Sequence, residues 1–309
     1  MNNLLAKLPA RGVVLTDGAW GTEMQARGLP IGGCPDAWNI ERPECVEAIA
    51  KAYVEAGSQV ILTNTFGANH YVLRGHGYDD RVQTINRRGA EISRRAAGSG
   101  VKVFASVGPT GQSPADVSAM ATAVYEAFME QARSLADGGA DAIVVETMSD
   151  LNEAKLAVRA AKTTGLPVVA CMLYIAGRQA DRTLTAVTPE QAAAELANAG
   201  ADAIGTNCGI GAEAMLPICV RLRAATALPV WIKPNAGLPD VVDGRAVYRT
   251  TPEQFATSAL ALVRSGAAFI GGCCGTDPHF IEALARAVRT PHPDPLPGSP
   301  TGREDEQEI

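Results

Sequence analysis

Gly266-Ala267-Ala268-Phe269-Ile270-Gly271-Gly272-Cys273-Cys274 carries, within one short stretch, the pattern that decides the fold. A glycine suited to the left-handed end of a helix is followed by a short apolar run that stops at polar residues. The same arrangement follows Gly57, Gly139 and Gly200. Seven residues beyond the four glycines stand Asn64, Glu146, Asn207 and Cys273; eight beyond stand Thr65, Thr147, Cys208 and Cys274. If each unit runs helix end, turn, strand, these polar residues share the C-terminal ends of their strands. The plainer alternative is that Asn, Thr and Glu only mark where apolar strands stop, and four repeats of one offset weigh against it.

Outward from that stretch, eight apolar runs are expected as strands: Val13–Thr16, Val60–Asn64, Val101–Val107, Ala142–Glu146, Pro167–Leu173, Ala203–Asn207, Pro229–Lys233 and Ala268–Gly272. Alanine-rich segments of helical length separate them, among them Glu44–Ala56, Ala119–Ala136, Asn152–Thr163, Gln191–Asn198 and Glu253–Ser265. Thr188-Pro189-Glu190-Gln191 and Thr251-Pro252-Glu253-Gln254 each supply an N-cap, a first-turn proline and the glutamine of a capping box. Continuous apolar strands alternating with helices indicate a parallel sheet buried on both faces. Eight such units predict an α/β fold, a single (β/α)8 TIM barrel over residues 1–290 with its site at the C-terminal face of the strands. A doubly wound open sheet is the competing arrangement, but no G-x-G-x-x-G follows the first strand. Residues 291–309, rich in Pro, Gly and acid, are expected to form a disordered tail.

A chain of 309 residues that is 47% hydrophobic can bury a large core. Its 27 basic and 33 acidic residues lie without blocks, which argues against a nucleic-acid or membrane-surface partner. No segment approaches the roughly 18 apolar residues of a membrane span, and no signal peptide is evident. Seven cysteines, an odd number, fit a reducing compartment better than a disulfide scaffold. A cytoplasmic protein is expected.

Thiols lying close together are good zinc ligands, and three of them would leave the fourth tetrahedral position open, as catalytic sites do. Cys208, Cys273 and Cys274 are the candidates; the alternative is that they are buried core residues. Neighbouring side chains on a strand face opposite ways, so the glycines around Cys273 and Cys274 must let the backbone leave the pleat. Asp17, with Gly18 beside it, could face a substrate ammonium or could merely cap the next helix. Glu146, at the end of an apolar strand, needs a cationic partner: a substrate group, or Arg178 or Arg182. Asn64 and Asn207 could orient substrate. The four histidines have no metal-type spacing, and no Ser-His-Asp order, P-loop or H-E-x-x-H occurs.

Taken in order, Asp17-Gly18-Ala19, Thr63-Asn64-Thr65-Phe66, Gly108-Pro109-Thr110-Gly111, Glu146-Thr147-Met148, Asn207-Cys208-Gly209, Pro234-Asn235-Ala236-Gly237 and Gly271-Gly272-Cys273-Cys274-Gly275 resemble the homocysteine S-methyltransferase family. The likeness is greatest to the homocysteine-binding module of cobalamin-dependent methionine synthase and covers roughly residues 11–290. It implies a Zn2+ ion on Cys208, Cys273 and Cys274, with homocysteine sulfur at the open position. It also implies an amino group bound by Asp17 and Glu146, and a carboxylate near Gly18 and Ala19. Folate, corrinoid and activation domains are not found, so the expected partner is a small donor such as S-methylmethionine or S-adenosylmethionine, or else a separate methylcorrinoid protein. Betaine is disfavoured, because betaine-using relatives carry tyrosine where this chain has Gly67.

Overall fold

The computed structural model describes residues 4–242 and 245–289. Its eight parallel strands are β1 (Val14–Leu15), β2 (Val60–Leu62), β3 (Lys102–Val107), β4 (Ala142–Met148), β5 (Val168–Met172), β6 (Ala203–Gly211), β7 (Val230–Asn235) and β8 (Ala267–Ile270). Each pairs with its neighbour in sequence, β8 pairs with β1, and a bridge between Thr16 and Val60 closes the circle. Outside them lie α1 (Pro43–Glu55), α2 (Val82–Ala97), α3 (Ala121–Asp137), α4 (Leu151–Lys162), α5 (Pro189–Ala199), α6 (Ala212–Ala225), α7 (Pro252–Arg264) and α8 (Pro278–Arg289). The fold is a (β/α)8 barrel. The tail expected over 291–309 lies outside the described residues.

Local chemistry accounts for the boundaries. Thr188 and Thr251 form complete capping boxes with Gln191 and Gln254. The four register glycines adopt φ of 101°, 91°, 109° and 101°, which a side chain at those positions would strain. Two expectations are corrected. The helix expected over Ala119–Ala136 is broken at Met120, with a separate turn Pro114–Ala119 capped by Ser113. A two-stranded ribbon, Asp240–Val242 with Arg245–Val247, rises from the loop after β7, where only a connection was expected.

Strand alternation sorts side chains into two layers. Outward residues such as Ile143, Val145, Ile204 and Ile232 pack under the helices. Inward residues Val14, Val60, Phe104, Val144, Ala203, Trp231 and Phe269 fill the barrel, with Leu5 of the N-terminal turn among them. Trp231 stands 5.2 Å from Phe269 and 5.9 Å from Phe104, ring centre to ring centre. One inward step beyond these apolar residues come Leu62, Ser106, Glu146 and Lys233, and two steps beyond Ala203 comes Asn207. The barrel's floor is therefore apolar, and a buried polar layer begins at its upper end.

Candidate active site and metal centre

Above that layer lies a cavity of about 420 Å³ at the C-terminal face. Gly18, Ala19, Asn64, Glu146, Asn207, Cys208, Cys273 and Cys274 all line it, together with Trp20, Asp36, Phe66, Thr147 and Lys233. The polar strand ends read from the sequence thus converge on one space.

The ligand atoms of Cys208, Cys273 and Cys274 lie within 4.8 Å of one another, and the Cys208 and Cys274 sulfurs are 3.7 Å apart. Two sulfurs at about 2.3 Å from a tetrahedral zinc are about 3.8 Å apart, which the Cys208–Cys274 spacing matches, and Cys273 lies close enough to complete the donor set. The separation is far longer than a disulfide, and all seven cysteines are free. Hydrogen bonds from Cys273 and then Cys274 hold the Cys208 thiol down to about 3, while Cys208 beside it pushes Cys274 up to about 12. One negative charge is easily held in this cluster; two more call for a cation.

Backbone geometry brings the thiols together. Cys208 has φ 64° and Thr147 has φ 60°, left-handed values that are strained for non-glycine residues by about 1–3 kcal/mol each. Each sits at a shift in strand register, between Asn207 and Gly211 in β6 and between Val145 and Met148 in β4. The kink re-aims the side chain that the pleat would turn outward, so Asn207 and Cys208 both face the cavity. Cys273 and Cys274 use a different device. Strand β8 ends at Ile270, and the pair lies in the turn that follows. That turn is tied down by Cys273 N to Pro234 O (2.7 Å), Ala236 N to Cys274 O (3.0 Å) and Thr276 Oγ1 to Cys273 O (2.7 Å). Tyr248 packs its ring under Gly275 and hydrogen-bonds Cys274.

Glu146 accepts from Ser106 Oγ at 2.5 Å and from Asn207 Nδ2 at 3.0 Å. Burial pushes its carboxyl above the usual range, and Lys233 only partly offsets this. Lys233 is the cation that acts on it within the protein, while Arg182, an expected partner, reaches Ala186 O instead. Asn207 is fixed by the Thr147 amide (2.8 Å) and Oγ1 (2.7 Å), and its amide also reaches the Cys273 sulfur at 3.9 Å.

Asp17 does not line the cavity. It is wholly buried behind the wall, where it accepts from Lys233 Nζ (2.5 Å), Leu62 N (2.7 Å) and Trp20 Nε1 (2.9 Å). It caps no helix either, since the turn Gly21–Ala26 has no side-chain cap. The Gly18 backbone does approach closely, but to Thr276, whose carbonyl would lie 2.5 Å from a side chain there. The Ala19 amide is already bonded to that carbonyl at 2.9 Å. Asn64 lines the cavity while its amide holds Pro35 O (2.8 Å) and Asn39 Oδ1 (3.1 Å).

Lys233, Ser106, Tyr248 and Asp36 are site residues that sequence reading missed. A lysine ending the apolar run Val230-Trp231-Ile232 was a signal of the kind that flagged Glu146, but no glycine precedes β7 to set the register. Asp36 lies in a loop with no periodicity. It is 3% exposed, and burial pushes its carboxyl up to about 7 despite the Gly67 amide at 3.0 Å. A folded-state value above the unfolded one means stability present in full below the ordinary aspartate range and lost as pH rises through about 7. Asp36→Asn is therefore expected to be more stable than wild type at pH 8, by on the order of 2 kcal/mol, and to lose the advantage near pH 4. Urea titrations at both values check this; an equal difference at the two would refute it.

The homocysteine S-methyltransferase family model matches residues 14–288. Methionine synthase of Mycobacterium tuberculosis is 35% identical over 301 residues, covering 89% of this chain and 24% of that protein. Methionine synthase of Mycobacterium leprae is 32% identical over 295 residues, with 90% and 24% covered. The chain spans about a quarter of the length of these relatives. The homocysteine methyltransferase MmuM of Escherichia coli superposes with a TM-score of 0.73 in its metallated form, at 25% identity, covering 92% of this chain and 100% of that one. Its oxidised form gives 0.74 at the same 25% identity, with 93% and 99% covered. This chain belongs to the homocysteine S-methyltransferase family.

Proposed function

We propose that the protein moves a methyl group onto the sulfur of homocysteine, forming methionine, with Cys208, Cys273 and Cys274 holding a zinc ion. The observation that carries this reading is the triangle of sulfurs beside a cavity that Glu146 and Asn207 also line. When bound, zinc would supply a Lewis acid that keeps a thiol deprotonated at neutral pH, where a free thiol near 8.5 is mostly protonated.

The chain's own side chains do the rest. Glu146, braced by Ser106 and Asn207, is a buried acceptor for the substrate ammonium, which supplies charge that burial withholds. Asp17 acts as a positioning residue by fixing Lys233 beside Glu146. The substrate carboxylate lies toward the wall formed by Gly18 and Ala19. The protein must then align the donor's methyl carbon with the acceptor sulfur, and such alignment supplies much of the rate. The new carbon–sulfur bond takes its electron pair from the thiolate, and the bond to the donor breaks with its pair leaving on the donor.

A second reading is a homocysteine-binding module served by a methylcorrinoid protein. It is favoured by the methionine synthases of which this chain spans about a quarter. One experiment separates the two: zinc-loaded protein is mixed with homocysteine and, in turn, S-methylmethionine, S-adenosylmethionine, betaine, methylcobalamin and a methylcorrinoid protein. Methionine is expected with a sulfonium donor alone. Methionine only with the corrinoid protein selects the second reading. No methionine under any condition refutes both.

A further inference from the structure

Gln131 is a buried amide of the helical layer, and no part of the chemistry above uses it. It stands in α3, is wholly buried, and its Nε2 donates to the Thr65 carbonyl at 2.8 Å. Its own Oε1 is buried with no hydrogen-bond partner among the described residues. A buried carbonyl oxygen left unpaired weakens a fold, and an apolar side chain of the same length would fill the place without one. Nor does the Thr65 carbonyl depend on this glutamine for a donor, because the Ala68 amide reaches it at 3.1 Å. Stability alone therefore gives no reason for an amide at position 131. What the bond does accomplish is to tie the loop after β2 to α3.

That loop begins where strand pairing stops. The register of β2 with β3 ends at Leu62 opposite Phe104, and the Thr63 amide makes a last bond to Phe104 O at 3.1 Å. Two residues on, the backbone of Ser106 meets threonine hydroxyls in place of a neighbouring strand. Its amide donates to Thr63 Oγ1 at 3.0 Å, and its carbonyl accepts from Thr65 Oγ1 at 2.8 Å. The two hydroxyls lie 2.5 Å apart. Ser106 in turn donates its own hydroxyl to Glu146 Oε1 at 2.5 Å. A continuous run of contacts thus leads from Gln131 through Thr65 and Ser106 to Glu146. Room for it is made in α2, where a Cβ added at Gly89 would stand 2.5 Å from the Thr65 methyl carbon. Buried networks of this kind hold their members to one geometry more firmly than isolated pairs do.

We propose that Gln131 is a positioning residue for the acceptor amino acid. By fixing Thr65 it holds Ser106, and through Ser106 the carboxylate of Glu146, in the orientation that receives the substrate ammonium. This role rests on the reading of Glu146 as the ammonium acceptor and extends it to a side chain that lines no part of the cavity. Asn86 of α2 is the natural comparison. It too is wholly buried with an unpaired amide oxygen, and its Nδ2 donates to Ala68 O at 2.7 Å and Val82 O at 2.8 Å. Those carbonyls lie outside the run that reaches Ser106, so Asn86 braces the loop without directing Glu146.

The Glu146 carboxyl carbon reads this arrangement directly by carbon-13 NMR of the zinc-loaded full chain without substrate. Its resonance is assigned by its loss in Glu146→Gln, and Ser106→Ala defines the shift that follows loss of the hydroxyl. Gln131→Met is expected to move the resonance in the same direction by about half as much or more, and no further in a Ser106→Ala background. Thr65→Val, which breaks the next bond in the run, should move it likewise. In Gln131→Met the melting temperature should be unchanged or raised, since the unpaired oxygen goes and Thr65 O keeps the Ala68 amide. Calorimetry should show homocysteine bound about tenfold more weakly, with zinc retention unchanged. Asn86→Leu should do the opposite, lowering the melting temperature while leaving the Glu146 resonance in place. A resonance unmoved by Gln131→Met, or an additive shift in the Ser106→Ala background, overturns the proposal. So does a shift in Asn86→Leu as large as that in Gln131→Met. If the resonance moves as expected but wild type binds no homocysteine, the positioning run stands and the ammonium reading of Glu146 fails.

Discussion

Cys208→Ser and Cys273→Ser are each expected to lower zinc affinity by roughly a hundredfold or more and to abolish methyl transfer, while Cys219→Ser changes neither. A serine hydroxyl is a poor, protonated donor at neutral pH, so each replacement removes a whole charged ligand from a set of three. The effect should be larger at Cys208 than its place near the end of β6 suggests. Its strained backbone conformation exists to turn one sulfur inward, and a serine there keeps the strain without the ligand. Cys219 is a sound control. It is buried in α6, its sulfur lies 3.7 Å from Leu262 O, and burial pushes its thiol up to about 12. Zinc content after dialysis against a graded chelator series reads the result directly. Unchanged zinc retention in Cys208→Ser would show that the sulfur triangle is not the metal site.

Lys233→Met should be among the most destabilising single changes in the protein, by about 3–5 kcal/mol. Lys233 is 2% exposed and Asp17 wholly buried, and their 2.5 Å contact joins β7 to β1 across the barrel's upper end. Burial pulls the lysine down, but Asp17 and Glu146 outweigh it, and the ammonium is held above its ordinary value. Removing it leaves two buried carboxylates with no cation between them. The double variant Asp17→Asn/Lys233→Met should recover part of the loss, because only Glu146 is then left buried without a cation. Thermal melts of the two singles and the double form the required cycle. A loss below about 1 kcal/mol in Lys233→Met would mean the pair does not hold the barrel mouth together.

Both expectations depend on residues that sequence reading treated very differently. The cluster of three thiols was legible because glycine at a helix end sets a countable distance to the end of the next strand, and that count reached Cys208, Cys273 and Cys274. The same count found Glu146 and Asn207, which the structure places on the inner wall of the cavity. Lys233 escaped it because α6 ends at Thr226 rather than at a glycine, leaving β7 without a register mark. Asp17 was recognised as a candidate site residue, but nothing local reveals that a lysine far along the chain closes over it. The bulges at Thr147 and Cys208 were also hidden. A left-handed residue is a property of the folded backbone, and neither threonine nor cysteine announces it. Asp36 and the ribbon after β7 belong to loops, where no periodicity carries information.

The gathering of the three thiols has a consequence for how the chain is held. Cys208 and Cys274 are 66 positions apart, so any ion bound to all three sulfurs cross-links the two ends of a segment containing α6, β7, the ribbon, α7 and β8. Closing a loop of that length in an unfolded chain removes entropy worth about 4 kcal/mol on the chain-entropy relation used for disulfides. The metal centre would then act as a reversible clasp on the last third of the barrel, and the energy that fastens it would be shared between binding and folding.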